Sequence, residues 1–323
     1  MSGPRILVAG ETLVDFIPGA AGPLAEVETF ERRAGGAPAN VAVGLQRLGE
    51  SPWLCTTLST DPFGDFLADR LEREGLSGRF VTRVERPTAL AFVSHDPDGD
   101  RDFAFYREGT ADVHLETAVV DDATLGALEW VVVGGVTLTA DPARRATFDL
   151  VERAREAGCR VAFDPNTRPE LWADGPDPTA TLRRMLSTVD LVTASREDLA
   201  PLGLPVGADD LPSRLLGLGP DTVVLTEGPA GAGAVAGPDS PWGAGEWHHP
   251  GYDPDVVDTT GAGNAFLAGV LASLVDGAGP GESLAFANAV AGVATTAGGA
   301  MAALPDVSTV RQFRRRRDDP TSD

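Results

Sequence analysis

Lysine is absent from this sequence, and all 26 of its basic residues are arginine. A P-loop requires a lysine on the phosphates of its nucleotide, a protein kinase requires a lysine on one strand, and Schiff-base catalysis requires a lysine amine. The absence of lysine therefore excludes all three classes of enzyme.

Cysteine and histidine are also scarce. Cys55 and Cys159 lie far apart in apolar surroundings, so we expect two reduced core residues and no disulfide. None of the four histidines has the spacing of a metal site, and the adjacent His248 and His249 would point to opposite faces of a strand. This usage predicts a cytoplasmic protein without a histidine-based metal centre.

Long apolar runs are missing as well. None reaches the length of about 18 residues that a membrane-spanning helix needs. The N-terminus leads into a strand without the basic region and apolar leader of a signal peptide. We therefore expect neither a membrane span nor a signal peptide.

Acidic residues far outnumber basic ones, 48 against 26, which gives a formal net charge of -22. Such a charge repels the phosphates of nucleic acids and of anionic membranes, so neither is an expected partner. Together with the absence of lysine, it predicts a salt-loving, haloarchaeal source, where hydrated carboxylates keep proteins soluble. The alternative is a GC-rich genome, in which arginine replaces lysine for codon reasons.

Short β-type runs alternate with helical segments. Most of the runs are continuously apolar, which is typical of parallel strands buried on both faces. A helix is expected after Asp61-Pro62, ending before Gly75, and another over 142–158, whereas the arginines at 314–317 are expected to form a frayed tail. The apolar runs are 6–9, 53–57, 130–133, 160–163, 191–193 and 222–225.

This alternation predicts an α/β fold with a doubly wound, mainly parallel sheet and helices on both faces, in one domain over 1–323. Two regions, about 12–34 and 86–110, do not follow this alternation of strands and helices. The second contains two β-rich runs joined by Asp-Pro-Asp-Gly-Asp at 96–100, a hairpin signal. We expect these regions to form a small β-sheet that projects from the main domain as a lid.

The segment from Asp258 to Asn264, Asp-Thr-Thr-Gly-Ala-Gly-Asn, leads directly into an apolar helix. Small residues at a helix N-terminus let backbone N–H groups converge on a phosphate, or on the charge that develops during phosphoryl transfer. The segment therefore predicts an anion hole that needs no lysine. A glycine-rich turn without chemical meaning is the alternative.

A second glycine segment, Gly35-Gly36-Ala37-Pro38-Ala39-Asn40, also precedes a helix. Its two glycines permit close approach of a ligand, and the amide of Asn40 can donate to and accept from a sugar hydroxyl. Alone, this segment is weak support for a binding site.

Together the two segments resemble the paired signatures of the ribokinase-like (PfkB) family of carbohydrate kinases. The similarity extends through nearly the whole chain in the family's order, and its motifs are most similar to those of fructokinases and 2-keto-3-deoxygluconate kinases. The further matching segments are Gly10-Glu11 with Asp15, Ser195-Arg196-Glu197-Asp198, the run from Thr226 to Gly231, and the run from Ala287 to Ala291.

The resemblance implies transfer of a phosphoryl group from ATP to a small sugar bound beneath the lid, and a possible homodimer formed through the lid. Residues implied to contact the sugar are Asp15, Gly35, Gly36, Asn40, Tyr106, Arg107 and Arg168. Those implied to contact the nucleotide are Ser195, Thr226, Gly228, Gly231 and Asn288. Gly261, Ala262 and Gly263 would stabilise the transferred phosphate, Glu197 would hold Mg²⁺ through water, and Asp258, Thr260 and Gly299 would hold K⁺.

Asn264 departs from this resemblance, because the family carries its catalytic aspartate at the matching position. An amide cannot take the proton of a sugar hydroxyl. Loss of a general base lowers a rate by a factor of about 10² to 10⁴. The change could be a substitution made to trap a substrate complex, a natural variant of altered activity, or a protein that only binds sugar or nucleotide.

The substrate is expected to be fructose. The run from Phe103 to Arg107 and the run from Asp164 to Trp172 resemble both fructokinases and 2-keto-3-deoxygluconate kinases, but Ala91 favours the fructokinases. Two arginines could instead bind a substrate carboxylate, or could simply pair with nearby acids, so the keto-acid stays as an alternative. Phosphorylation of the sugar at O1 instead of O6 is a further alternative. A dinucleotide-binding oxidoreductase is disfavoured, because no glycine fingerprint follows the first strand.

Overall fold

A computed structural model describes residues 3–20, 22–95, 101–173 and 175–318, so the expected hairpin turn at 96–100 lies outside the described residues. The strands are β1 (Ile6–Ala9), β2 (Leu13–Pro18), β3 (Phe30–Gly35), β4 (Trp53–Ser59), β5 (Val81–Val84), β6 (Leu90–His95), β7 (Arg101–Tyr106), β8 (Trp130–Gly134), β9 (Arg160–Asp164), β10 (Leu191–Ser195), β11 (Thr222–Thr226), β12 (Ala232–Ala236) and β13 (Gly245–His249). The α-helices are α1 (Ala37–Arg47), α2 (Pro62–Arg73), α3 (Asp122–Leu125), α4 (Ala143–Glu156), α5 (Pro178–Leu186), α6 (Leu211–Leu216), α7 (Ala262–Val275), α8 (Pro280–Ala294) and α9 (Val307–Asp318).

Among the described residues, nine strands form the main sheet, in the order β13-β12-β11-β10-β9-β8-β1-β4-β5. Strands β11 through β5 in that order are parallel, whereas β12 and β13 pair antiparallel at one edge. Every apolar run named above forms a strand of this sheet. Burial on both faces explains their continuous apolarity, since every residue of β1 and β8 is buried. The predicted doubly wound sheet is confirmed.

The main sheet separates two hydrophobic layers. One face packs on helices α1, α7 and α8, and the other on α4, α5 and α6. Helix α7 is apolar around almost its whole circumference because it lies between α1 and α8 and is buried from Asn264 to Ser273. Both cysteines are buried and free, as expected.

The remaining strands form a separate small sheet in the order β3-β2-β6-β7. Strands β2 and β6 are parallel, and the outer pairs are antiparallel. One face of this sheet contributes Asp15, Phe103 and Phe105 to a cavity at the main domain. On the opposite face the rings of Phe16 and Phe92 stack with centroids 4.7 Å apart. A small sheet was expected from these two regions, and it is present.

The helix starting after Asp61 confirms its predicted cap, because the Asp61 carboxylate accepts the Gly64 N–H at 2.8 Å. The expected frayed tail is wrong. The segment forms helix α9, and Arg314 pairs with Glu282 of α8 at 2.6 Å. This contact, between residues far apart in the sequence, fixes the helix against α8. No helix of the described residues is long and apolar enough to span a membrane.

Candidate active site

Two cavities meet at the carboxyl ends of the parallel strands. The larger, about 510 Å³, runs along β9, β10, β11 and the start of α7, and the smaller, about 80 Å³, lies beneath the small sheet. A ligand in either cavity would contact the same shared wall, which suits transfer of a group between two bound molecules. The residues lining both are Phe103, Asn166, Arg168, Thr260, Gly261 and Asn264.

The start of helix α7 forms part of this shared wall. Gly261 caps the helix with a left-handed backbone, φ 80°, and a Cβ there would lie 2.7 Å from the Ala300 Cβ, so only glycine fits without a shift. The N–H groups of Gly263 and Asn264 are in the first turn, where helical amides have no partner within the helix. With the positive end of the helix dipole, these amides can bind a phosphate.

Helices α1 and α7 bring two asparagines together. Gly44 and Ala268 allow the helices to approach closely, since a Cβ on Gly44 would lie 2.9 Å from the Ala268 Cβ. Asn40 lies one helical turn before Gly44 on α1, and Asn264 lies one turn before Ala268 on α7. Each asparagine is therefore on the face of its helix that forms the contact. The Asn40 Nδ2 donates to the Asn264 Oδ1 at 3.4 Å, and both side chains are buried.

The two glycines before α1 are required by close approaches. A Cβ on Gly35 would lie 2.0 Å from the Asp15 Oδ2, and a Cβ on Gly36 would lie 2.4 Å from the Glu11 carbonyl oxygen. The left-handed φ of Gly36, 105°, adds a second reason for glycine at that position. Both glycines therefore let the chain pass directly over Glu11 and Asp15.

Glu11 is a residue of the small cavity whose role sequence reasoning missed. Its side chain is 2% exposed, Oε1 accepts the Ala37 N–H at 3.1 Å, and Oε2 has no hydrogen-bond partner in the described chain. Burial raises the pKa of Glu11 to about 7, although the charge of Arg107 opposes this shift. A buried carboxylate oxygen without a partner in a cavity wall suits a ligand hydroxyl.

Two further carboxylates, Asp15 and Asp164, flank Arg168. Loss of solvent raises the pKa of both, and the nearby charge of Asp198 adds to the rise for Asp164, so that each pKa is about 7. Arg168 lowers the pKa of both, and its guanidinium lies 5.6 Å from the centre of the Phe103 ring. Arg168 is therefore held between two carboxylates and an aromatic ring of the small sheet.

Asn166 lies at the shared wall and has a left-handed backbone, φ 38°. Its N–H donates to the Asp164 Oδ1 at 3.0 Å, in a local turn that asparagine tolerates. The neighbouring Thr167 N–H donates to Asp198 at 2.9 Å, which links this loop to the end of β10. The sequence signal that could have identified Asn166 is the Asp-Pro-Asn turn directly after an apolar strand.

The residues expected to bind sugar divide into two groups. Asp15, Gly36, Asn40 and Arg168 line the small cavity, and Gly35 lies against Asp15. Tyr106 and Arg107 are absent from the lining of the described cavities.

Tyr106 and Arg107 lie away from the cavity for different reasons. Tyr106 is 64% exposed and packs its ring edge against Phe92 on the opposite face of the small sheet. Arg107 is buried, its Nε donates to Asp112 in a short ion pair, and its Nη1 donates to Thr139 at 2.8 Å. Arg107 neutralises Asp112 and lies close enough to Glu11 to lower its pKa, while its Nη2 has no hydrogen-bond partner among the described residues.

The residues expected to bind nucleotide also divide. Ser195 and Thr226, at the ends of β10 and β11, line the larger cavity. Gly228 and Gly231 shape the turn after β11, where a Cβ on Gly231 would lie 2.0 Å from the His249 carbonyl oxygen. Asn288 is buried and donates to the Leu284 carbonyl oxygen at 2.8 Å, outside the described cavity lining.

The larger cavity can accommodate a magnesium ion only together with a phosphate. Glu197 is exposed at its wall, whereas the Asp198 carboxylate already accepts the Ser195 Oγ at 2.7 Å and the Thr167 N–H at 2.9 Å. Within the described residues no cluster of three or more acidic, histidine or cysteine side chains could hold a metal. This suits Mg²⁺, which keeps several waters and is held by one or two carboxylates plus substrate phosphates.

The residues expected to hold a monovalent cation, Asp258, Thr260 and Gly299, lie together and are joined by hydrogen bonds. The Asp258 Oδ1 accepts the Thr260 N–H at 2.8 Å, and its Oδ2 accepts the Gly299 N–H at 2.8 Å. The guanidinium of Arg33 covers the α-carbon of Gly299, where an added Cβ would lie 2.0 Å from its Nη1. A positive charge of the chain itself therefore lies beside the residues at which K⁺ was expected.

The similarity of this chain to known proteins extends over most of its length. A model of the pfkB family of carbohydrate kinases matches residues 4–307. A fructokinase of Klebsiella pneumoniae is 36% identical over 313 residues, covering 93% of this chain and 96% of its own length.

Solved structures show the same similarity. A fructokinase of Xylella fastidiosa with bound ATP has a TM-score of 0.85 and 31% identity, covering 97% of this chain and 99% of its own. A protein of E. coli assigned as a ribokinase II, in complex with ATP and Mg²⁺, has a TM-score of 0.86 and 26% identity, with coverage of 97% and 99%.

Proposed function

Because the chain belongs to the pfkB family of carbohydrate kinases, we propose that it transfers the γ-phosphate of ATP to a hydroxyl of fructose. Similarity to fructokinases over nearly the whole chain supports this choice of sugar. The observation that carries it is the charge of the small cavity, whose polar wall contains two carboxylates and one guanidinium.

The charge of this cavity favours a neutral polyol over a keto-acid. Glu11 and Asp15 line the cavity, and Arg168 is the cation that faces them. Arg107, the second arginine that could have bound a substrate carboxylate, is used by Asp112. A substrate carboxylate would find one arginine and two carboxyl neighbours in this wall, whereas carboxylates accept hydrogen bonds from sugar hydroxyls well. 2-Keto-3-deoxygluconate is accordingly disfavoured.

In this proposal the sugar occupies the small cavity and ATP the larger one. Asp15, Glu11 and Asn40 accept hydrogen bonds from the sugar hydroxyls. The reacting hydroxyl faces Asn264, and the transferred phosphate rests on the amides of Gly263 and Asn264. Mg²⁺, when bound, would neutralise charge on the phosphates, and Glu197 would hold it through water. Catalysis consists mainly of positioning and of stabilising the charge that develops on the phosphoryl group.

Asn264 limits the rate of this reaction. Its Oδ1 already accepts from Asn40 and can accept a second hydrogen bond from the sugar hydroxyl, but it cannot take the proton. Substrate orientation and the anion hole remain intact. We therefore propose a working but slow kinase, with turnover lower by a factor of about 10² to 10⁴ than a carboxylate at this position would give.

The small sheet acts as a lid over the sugar. It supplies Asp15, Phe103 and Phe105 to the cavity wall, so movement of the sheet would open or close the site. Its opposite face carries Phe16, Phe92 and the exposed Tyr106, which could pack against a second copy of the chain. Val14 of β2 is fully buried in the core and is unavailable for such a contact.

We also propose that the protein works in the cytoplasm, since both cysteines are free thiols, and in concentrated salt, given the net charge of -22. The function is tested by a coupled assay with ATP and Mg²⁺ in high KCl. Fructose should be phosphorylated with a kcat/KM at least about tenfold above that of 2-keto-3-deoxygluconate. A preference for the keto-acid would overturn the proposal. Analysis of the fructose product distinguishes O1 from O6 phosphorylation.

A further inference from the structure

Arg33 connects the small sheet to the turn at 298–300. It lies on β3 directly opposite Asp15 of β2. Its Nη2 donates to Glu31 at 2.8 Å, and its guanidinium rests on the backbone of Gly299. A Cβ on Gly299 would lie 2.0 Å from Nη1, 3.1 Å from Cζ and 3.3 Å from Cδ of Arg33. Only a glycine at 299 leaves room for the guanidinium in this position.

Beyond its ion pair with Glu31, this guanidinium also lies within the electrostatic reach of a second acid, Asp258. Its carboxylate joins two segments, since one oxygen accepts the N–H of Thr260 and the other that of Gly299, each at 2.8 Å. Asp258 is partly buried. The Glu31 hydrogen bond, and also the charge of Asp258, raise the pKa of Arg33, which places Arg33 in the electrostatic field of Asp258.

The turn at 298–300 touches the anion hole directly. The next residue after Gly299, Ala300, packs on Gly261, where a Cβ would lie 2.7 Å from the Ala300 Cβ and 2.8 Å from its Cα. Gly261 is the N-cap of α7, and its helix supplies the amides that face the larger cavity. A positive charge held at Gly299 therefore lies immediately behind the loop that would bind the transferred phosphate.

We infer that the Arg33 guanidinium supplies, as part of the chain, the positive charge that a bound monovalent cation would bring to Asp258, so that the enzyme needs no K⁺. Arg33 is a positioning residue in this account. It balances the Asp258 carboxylate and fixes the 298–300 turn against Gly261, which keeps the amides of α7 aimed at the phosphate. Because Arg33 belongs to β3, the same contact links the position of the lid to the shape of the anion hole.

The kinetic test compares monovalent cations at matched ionic strength, and it rests on the proposed kinase function. With fructose, ATP and Mg²⁺, the wild-type kcat should agree within about twofold in potassium, sodium and choline chloride. Arg33→Ala should lose at least about tenfold in choline chloride and recover in potassium chloride, because K⁺ can enter the vacated space. Arg33→Lys, which keeps the charge, should stay independent of K⁺.

Arg32→Ala is the matched control, because the Arg32 guanidinium packs 4.0 Å from the centre of the Phe66 ring, whereas that of Arg33 rests on Gly299. Its kcat should show no dependence on the cation. Strong activation of the wild type by K⁺ would overturn the inference. So would an equal loss of kcat by Arg33→Ala in all three salts, since that result would indicate a merely structural role.

A second readout does not require turnover. Thallium(I), a spectroscopic substitute for K⁺, should give a bound NMR signal with Arg33→Ala and none with the wild type, and potassium should raise the melting temperature of the variant alone. These measurements separate the two proposals. Absence of any sugar phosphorylation would contradict the proposed function and leave the binding result to decide the role of Arg33. Thallium(I) binding to the wild type at Asp258 would refute that role.

Discussion

The Asn40 Nδ2 donates a hydrogen bond to the Asn264 Oδ1 over 3.4 Å, across the contact between helices α1 and α7. Each asparagine lies in the first turn of its helix, and each lines the small cavity. The Asn40 Oδ1 has no partner in the described chain. The bond therefore orients the Asn264 side chain and leaves one acceptor of Asn40 without a partner in the described chain.

Replacing Asn40 by alanine should weaken sugar binding more than ATP binding. The variant loses the acceptor for a sugar hydroxyl and leaves the Asn264 Oδ1 with one partner fewer. We expect KM for fructose to rise at least about tenfold and the free energy of unfolding to fall by about 1 kcal/mol. Steady-state kinetics and urea unfolding measure the two effects.

Asn288→Ala is a matched control for that experiment, because Asn288 is also buried and hydrogen-bonded but does not line the small cavity. It should lose similar stability with little change in KM for fructose. An equal rise of KM in both variants would show that the effect of Asn40 is only structural.

Glu11 should make the protein less stable as the pH rises. Its pKa is about 7 in the folded protein, above its ordinary value of 4.5, so the folded state binds a proton that the unfolded state has released. Stability is then lost as the pH rises through this window. Glu11→Gln removes the effect while its amide oxygen can still accept the Ala37 N–H.

We expect Glu11→Gln to match the wild type near pH 4.5 and to exceed it above pH 7, by at most about 3 kcal/mol, in urea unfolding at a series of pH values. Asp306→Asn is the control. The pKa of Asp306 is lowered to about 2, so its effect should be constant across this range. A difference between Glu11→Gln and the wild type that does not change with pH would refute the explanation.

Arg168 should set the pH dependence of sugar use. Its charge lowers the pKa of Asp15, against the loss of solvent that raises it. Arg168→Gln should therefore shift the rising limb of the kcat/KM profile for fructose to higher pH, because Asp15 then ionises later. We expect a loss of about tenfold near pH 7 that partly recovers at higher pH.

Arg184→Gln is the comparison for Arg168, since Arg184 on α5 lies over Phe148 of α4 and lines neither cavity of the site. Its profile should coincide with that of the wild type. An unshifted limb in Arg168→Gln would mean that Asp15 does not need to be ionised for sugar binding.

The N-cap of α7 offers a test of the anion hole. Gly261→Ala combines a left-handed backbone with a close contact at Ala300, so the loop must shift. Gly277→Ala, just after the other end of the same helix, has a similar φ of 74° but meets nothing within 4 Å. We expect both to lose about 1 kcal/mol of stability from backbone strain, but only Gly261→Ala to lose kcat, by at least about tenfold. Equal values of kcat would remove Gly261 from the catalytic account.

Much of the fold follows from local sequence. The continuous apolar runs at 6–9 and 130–133 predict parallel strands buried on both faces, and such strands place Glu11, Asp164, Ser195 and Thr226 at one edge of the sheet. The cap at Asp61 likewise follows from the residue itself and the proline after it. Local preference and tertiary structure agree at these positions.

Other features of the structure are set by tertiary contacts and could not be predicted from local sequence. The sequence predicts Arg107 as a ligand for the substrate, whereas in the structure its Nε and Nη1 donate to Asp112 and Thr139. Arg33 belongs to no recognisable motif. Its guanidinium packs on Gly299, distant in sequence, because glycine has no side chain to block it. Helix α9 forms where a highly charged tail suggests fraying, because Glu282 of α8 pairs with Arg314. A pattern of residue types does not encode such pairings.

The most direct test of the account is the turnover of Asn264→Asp with fructose, ATP and Mg²⁺, measured beside the wild type. An aspartate can still accept from the Asn40 Nδ2, so the geometry should be retained while the site gains a general base. We predict that kcat rises at least about 100-fold and that fructose affinity changes little. An unchanged kcat would contradict the account, because it would show that transfer in this site does not depend on a base at position 264.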